Sequence, residues 1–458
     1  MVISRKGWGR TAVAPRLGWL LRCVNNGGTT LAALLVTLAG AVPAASAQLT
    51  LGDSVSTRQV GPGVTFRRIV RSGGPWVLSV LEVDLRRPDL RVRGLRACDQ
   101  LLGRERPSAI SRRLRQEGID VVGVLNADFF DLRGGTGATE SNVVIDGEIV
   151  KAVTVTESPF DAFDNVHTQF GITLRGGVVL DRFHLQGSVR TPSGEWPLSA
   201  INASAPGALA LLTPWFDPTT APRSSDSVAH VALLKVGGRG DTAHYRVDTN
   251  ATPGLDAAPS EQGALLVASG SVRSVVERLR PGDRVEVIAR LVPDRGPLHT
   301  LVGGWPRIID AGRNVALAAD SVEGTVPRFS RARHPRSALG ISRDSATLYL
   351  VAVDGRQQAS VGMTLEELAD AMIALGAYEA MNLDGGGSTA LVVGDSIVNA
   401  PSDAGGERPV GNVVAITRRA ARQRDPERRA LPRRNGRVPS CVVPVRRDTT
   451  AAGGARPQ

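Results

Sequence analysis

Asp384-Gly385-Gly386-Gly387-Ser388 sets a carboxylate directly before three consecutive glycines. An aspartate at a strand end suits acid/base or nucleophilic work. Three glycines in a row are costly in conformational entropy, so they point to backbone that approaches a ligand or takes non-standard dihedrals. Successive exposed N–H groups in such a loop form an anion-binding concavity. A tight glycine-rich hairpin turn has the same pattern, and the bare sequence leaves these two readings level. Asn126-Ala127-Asp128-Phe129-Phe130 closes an apolar stretch. Its amide and carboxylate can hold sugar hydroxyls. Its rings form an apolar platform, although Phe129 and Phe130 also read as core. His167 has the chemistry of a base, but no constellation surrounds it, and a hydrogen-bonded structural histidine is the plainer reading.

These residues need elements to carry them. Thr364 and Glu367 have capping-box spacing, and Met363 and Leu368 can form a hydrophobic staple. Leu365, Leu368, Ala369, Met372 and Leu375 then fall on one helical face, and Gly376 sits where a helix end needs positive φ. A buried strand over 378–383 delivers Asp384, and 391–393 re-enters the core. Strands are expected over 65–70 and 76–85, with a turn at 72–75. A helix over 104–118, capped by Ser108, precedes the strand 121–125. Hairpins are expected around Asp146-Gly147 and between 169–174 and 178–180. Further strands are expected over 208–213, 228–235, 264–269, 284–291, 347–353 and 413–416. Residues 133–139 read as a mobile loop, and Gly303-Gly304-Trp305-Pro306-Arg307 as a cleft lining. The fold class is α+β: a mixed, strand-rich sheet core with a few helices in a single catalytic domain.

The net charge of +11 is concentrated at the ends of the chain. Residues 1–47 carry five basic and no acidic residues, and 417–458 carry twelve arginines against three acidic residues, which leaves 48–416 at −3. A near-neutral middle excludes a nucleic-acid-binding core. Residues 1–47 read as a secretory signal, with an apolar run over 31–42 and Ala45-Ser46-Ala47 as the cleavage site. That run is shorter than the roughly 20 residues a membrane span needs. Residues 48–119 form an N-terminal strand-rich part, and the Arg/Pro-rich 417–458 reads as a disordered tail. Cys98 and Cys441 allow one disulfide, but Cys441 falls in that tail. No Cys/His cluster has zinc-ligand spacing.

The segment Asn382-Leu383-Asp384-Gly385-Gly386-Gly387-Ser388 resembles the signature of the phosphodiester glycosidase family. Seven further segments occur in family order: 126–130, 142–144, 169–172, 336–340, 353–356, 401–403 and 408–410. The resemblance implies a phosphodiester glycosidase domain over 120–416. It implies a secreted, periplasmic or cell-surface hydrolase that cleaves the glycosidic bond of a sugar-1-phosphodiester. Such a reaction passes through an oxocarbenium-like state and commonly uses two carboxyl groups. The matching carboxylates are Asp384, Asp354 and Asp128. Substrate binding falls to Asn126, Asn382, Arg336, Arg408, Ser388 and the amides of Gly385, Gly386 and Gly387. The arginine fork fits a phosphate bidentately; without the resemblance Arg336 reads as a salt-bridged surface residue. Ala127-Asp128 stands where glycines are frequent in the family, which leaves the sugar open. No cofactor is implied. Asp354, Asp384 and Asp403 could together hold Ca²⁺ or Mg²⁺, without any loop of known spacing. The expected partner is a phosphorylated carbohydrate. A non-catalytic module that holds phosphorylated wall polysaccharide in the same cleft is the alternative.

Overall fold

A computed structural model describes residues 53–156, 158, 161–216, 227–255, 257–419 and 441–442. The expected leader lies outside these residues, as does most of the expected tail.

Alternating apolar positions build an antiparallel sheet from both ends of the described chain. Its order is Ser54–Gly61, Val64–Arg71, Trp76–Asp84, Thr347–Val353, Arg336–Ser342, Ala377–Leu383, Arg307–Asp310 and Arg313–Asn314. The helix Leu365–Leu375 packs on one face through Leu365, Leu368, Met372 and Leu375. Its capping box is formed as the spacing predicts, with both reciprocal bonds present. Gly376 ends it at φ 108°, a left-handed conformation that glycine adopts without a Cβ penalty.

The opposite face meets a smaller sheet: Ser396–Ile397, Leu391–Val393, Asp120–Asn126, Asn412–Arg418 and Leu90–Arg96. Leu81, Val83, Leu339, Leu350 and Met381 interleave there with Leu125, Leu391, Val414 and Ile416 in one apolar core. A third sheet gathers strands between Val143 and Gly303; most of its apolar residues form a second core, while Phe170, Ile172 and Val302 join the first. The Asp146-Gly147 hairpin turns with both residues at positive φ, 48° and 85°. The fold is strand-rich with few helices, as the patterning implies.

Two expectations are corrected. The first helix runs Pro107–Gln116 with Arg106 at its cap, while the Ser108 N–H and hydroxyl donate to the Glu407 carboxylate instead. The tail is not wholly detached. The last strand continues to Arg418, and Cys441 forms a disulfide with buried Cys98 across 343 residues of sequence. Val442 also exchanges backbone hydrogen bonds with Arg104.

Candidate active site

The strand Ala377–Leu383 pairs with Arg336–Ser342, and its last register pair is Ser337 with Leu383. Asp384 therefore leaves the sheet at the edge of the core, where its N–H donates to the Ala127 carbonyl. Asn126, at the end of a strand of the facing sheet, spans the glycine loop. Its amide nitrogen donates to the Asp384 carbonyl at 2.6 Å, and its oxygen accepts from the Ala390 N–H and the Ser337 hydroxyl. Asn382 donates to the Trp305 and Leu383 carbonyls. Both asparagines are fully buried. Through these bonds they hold the loop.

The glycines are required by close approach. A Cβ on Gly385 would lie 2.6 Å from the Pro335 carbonyl. One on Gly387 would enter the Asp403 carboxylate and the Arg408 guanidinium. Gly386 sits at φ 61°. The amides, however, are largely spent. The Gly386 N–H donates to the Pro335 carbonyl, the Ser388 N–H to that of Gly385, and the Gly385 N–H to the Asp384 carboxylate. An open nest of three free glycine amides is not what the loop offers.

What it offers is charge. Asp384 is half-buried and accepts from the Ser388 hydroxyl. Burial pushes its carboxyl up to about 7, with nearby Asp128 adding and Ser388 and Arg408 opposing. Arg408 makes a bidentate pair with Asp403, at 2.8 and 3.0 Å, and reaches the Ser388 hydroxyl at 3.3 Å. Arg356 is exposed, at φ 59°, and its guanidinium sits 3.2 Å from where a Gly386 Cβ would be. It has no carboxylate partner among the described residues.

Behind Asp384 lies buried Asp128, which accepts from the Ser141 N–H and hydroxyl. Burial raises its carboxyl, against the pull of Lys151 and His167. Glu140 is pushed up to about 8, first by burial and then by Asp128, with Asp384 and Asp161 adding and Ser158 opposing. Lys151 is brought down to about 8 by burial, its Nζ donating to the Thr139 and Glu140 carbonyls. Glu140 and Lys151 line a cavity of about 640 Å³ together with Asp131, Arg133 and Ser199. His167 is buried, bonded to Asp161 at 2.8 Å and stacked on Trp305. Trp305 is itself fully buried against Phe129, while Arg307, at the end of the Gly303–Arg307 segment, lines a separate cavity of about 620 Å³ with Glu323 and Glu379.

Two other expected residues stand apart. Asp354 is buried and accepts from the Ala400 N–H and the Asn399 amide. Asn399 in turn holds Thr389 and Leu391, so Asp354 props the loop from behind. Arg336 is also buried. It donates to the carbonyls of Met363, Phe329 and Ala332, and its guanidinium lies over the Phe329 ring. Burial brings it down to about 9, and its bonds here go to main-chain carbonyls. Asp354, Asp384 and Asp403 do not converge: among the described residues no three His, Cys, Asp or Glu side chains form a metal-binding group. Sequence reading passed over Glu140, Lys151 and Arg356. The Asp354-Gly355-Arg356 run was the one signal for the last of these; Glu140 and Lys151 had none.

On this strand-rich fold a proton-holding carboxyl stands beside two arginines on a glycine loop. Residues 245–417 match the family model described as phosphodiester glycosidase. The SPbeta prophage-derived uncharacterized protein YomE of Bacillus subtilis is 38% identical over 85 residues, which cover 19% of this chain and 13% of that protein. A hypothetical protein from Synechocystis shares the fold with a TM-score of 0.64 at 23% identity, over 80% of this chain and 64% of that one. An exported-protein candidate from Burkholderia pseudomallei K96243 does so with a TM-score of 0.58 at 23% identity, over 76% and 75%. The catalytic domain of zebrafish N-acetylglucosamine-1-phosphodiester alpha-N-acetylglucosaminidase aligns with a TM-score of 0.41 at 16% identity, over 80% and 84%. The chain thus spans a small part of the curated relative and just under two thirds of the Synechocystis protein.

Proposed function

We propose that this protein hydrolyses the glycosidic C1–O bond of a sugar-1-phosphodiester, releasing a free sugar and a phosphomonoester. The observation that carries this reading is Asp384, a half-buried carboxyl raised to about 7, set on a glycine loop between Arg408 and Arg356 within the residues that match this family. A group that titrates near neutral pH is suited to take a proton there. Arg356, free of a carboxylate, and Arg408, shared with Asp403, supply positive charge for the phosphoryl oxygens. Because phosphate is a good leaving group, stabilising that charge supplies much of the rate. We place the reaction outside the cytoplasm, a reading supported by the Cys98–Cys441 disulfide, since such bonds persist in oxidising compartments.

The test is hydrolysis of UDP-N-acetylglucosamine and a panel of methyl-phospho-sugars by the wild type and by Asp384→Ala. Turnover by the wild type and its loss in the variant support the proposal. Equal inactivity of the two across the panel overturns it, and saturable binding without turnover would mark a non-catalytic carbohydrate-binding module instead.

A further inference from the structure

We infer that the cavity between the loop after Asn126 and the third sheet is a second binding site, separate from the Asp384 loop, which takes a sugar unit bearing an oxyanion, either a carboxylate or a phosphate. The choice of a sugar rests on the hydrolytic reading above; the choice of an anion does not. The cavity measures about 640 Å³, within the roughly 300–1,000 Å³ of small-molecule sites. Strand alternation builds one wall. Along Glu148–Val153 the side chains of Val150 and Ala152 are buried, while Lys151 and Val153 turn to the cavity. Ser199 joins them from Gly194–Ile201, which pairs with that strand through Ala200 and Val153. The loop after Asn126 supplies Asp131, Leu132, Arg133 and Glu140. Asp384, Arg356 and Arg408 do not line this cavity, so filling it is a binding event distinct from bond cleavage.

Two cations on these walls have no carboxylate partner among the described residues. Lys151 Nζ donates to main chain only, to the Thr139 and Glu140 carbonyls, which leaves one of its three N–H donors for a ligand. Arg133 is exposed and makes no ion pair among the described residues. The nearby carboxyls are used elsewhere. Asp128, within electrostatic range of Lys151, bonds to the Ser141 N–H and hydroxyl. Asp131 accepts from the Gly134 N–H and the Thr136 hydroxyl of its own loop. Glu140 keeps its proton up to about pH 8. At pH 7 the walls therefore carry the positive charges of Lys151 and Arg133 against the negative charge of Asp131. An ammonium withdrawn from water without a counter-charge is unfavourable, and a bound oxyanion relieves this.

The remaining lining suits a sugar ring. Leu132 and Val155 are exposed apolar side chains that, with Pro206, offer surface to C–H faces. Thr154, Ser199 and Ser204 bring hydroxyls that both donate and accept, as sugar hydroxyls require.

Calorimetry at pH 7 with glucuronic acid, glucose 6-phosphate and glucose tests the inference on wild type, Lys151→Met, Arg133→Gln and Arg356→Ala. At least one anionic sugar should bind the wild type, with glucose about tenfold weaker or worse. Binding of glucose 6-phosphate alone identifies the oxyanion as phosphate, and of glucuronic acid alone as carboxylate. Lys151→Met and Arg133→Gln should each weaken that binding about tenfold. Arg356→Ala, which alters only the Asp384 loop, should leave it in place. Arg133→Gln, a change at an exposed side chain, carries the test if Lys151→Met does not fold. The inference is overturned if no probe binds, if glucose binds as tightly as the anionic sugars, or if Arg356→Ala abolishes a binding that both cavity variants keep. Turnover of the phosphodiester panel without cavity binding removes this inference alone. Cavity binding by a protein that turns over no member of the panel removes the hydrolytic reading and leaves the anion site standing.

Discussion

Replacing Asp384 with asparagine should make the protein more stable while abolishing its activity, and the gain should depend on pH. The carboxyl has an ordinary value of 3.8 and is raised to about 7 in the fold. The folded chain therefore holds this proton between about pH 4 and pH 7, where the unfolded chain has released it. A group raised in this way costs nothing below pH 4, and its full cost is in place above pH 7. At 1.36 kcal/mol per unit, the shift amounts to about 4 kcal/mol of strain stored in the ionised site. Asparagine removes that charge but keeps an oxygen for the Ser388 hydroxyl and the Gly385 N–H, while Arg408 loses an opposite charge nearby. The net gain at pH 8 should thus be about 1–3 kcal/mol, and it should shrink toward zero at pH 4. Urea unfolding of both proteins at the two pH values, with slopes compared to confirm a shared transition, measures it. A variant less stable than wild type at pH 8, or one with an equal gain at both pH values, would refute the view that Asp384 is held against its tendency to ionise.

Other perturbations test the frame around it. Gly387→Ala must displace the Asp403–Arg408 pair, so kcat/KM on the phosphodiester panel should fall at least about tenfold, beyond any loss of folded protein seen by circular dichroism. Arg356→Ala should raise KM about tenfold with little change in Tm, because that side chain is exposed and binds no carboxylate. Cys441→Ser should lower stability by about 2–5 kcal/mol in denaturant titrations, an effect that reductant reproduces in the wild type. Thr364→Ala removes the oxygen that accepts from the Glu367 N–H and should cost about 1 kcal/mol by the same measurement, without altering the pH profile.

Much of this protein was legible because the signals are local. The capping box at Thr364 and Glu367, the left-handed Gly376 and the Asp146-Gly147 turn depend on neighbours a few residues away. So do the alternating strands on either side of Asp384, and one sequence dictates such contacts directly. The resemblance carried by Asp384–Ser388 likewise led to the family. What the sequence could not decide is which polar groups would be used up by contacts between sheets. Asn126 binds both ends of a loop some 258 and 264 residues away. Arg336 spends its guanidinium on three carbonyls, and the glycine amides turn inward to Pro335 and Asp384. Glu140 showed nothing in its own neighbourhood, since a glutamate between Thr139 and Ser141 looks like any surface acid. Only packing removes water from it and brings Asp128 and Asp384 within range, and it is desolvation, a property of the assembled layers, that turns an ordinary carboxyl into one that keeps its proton.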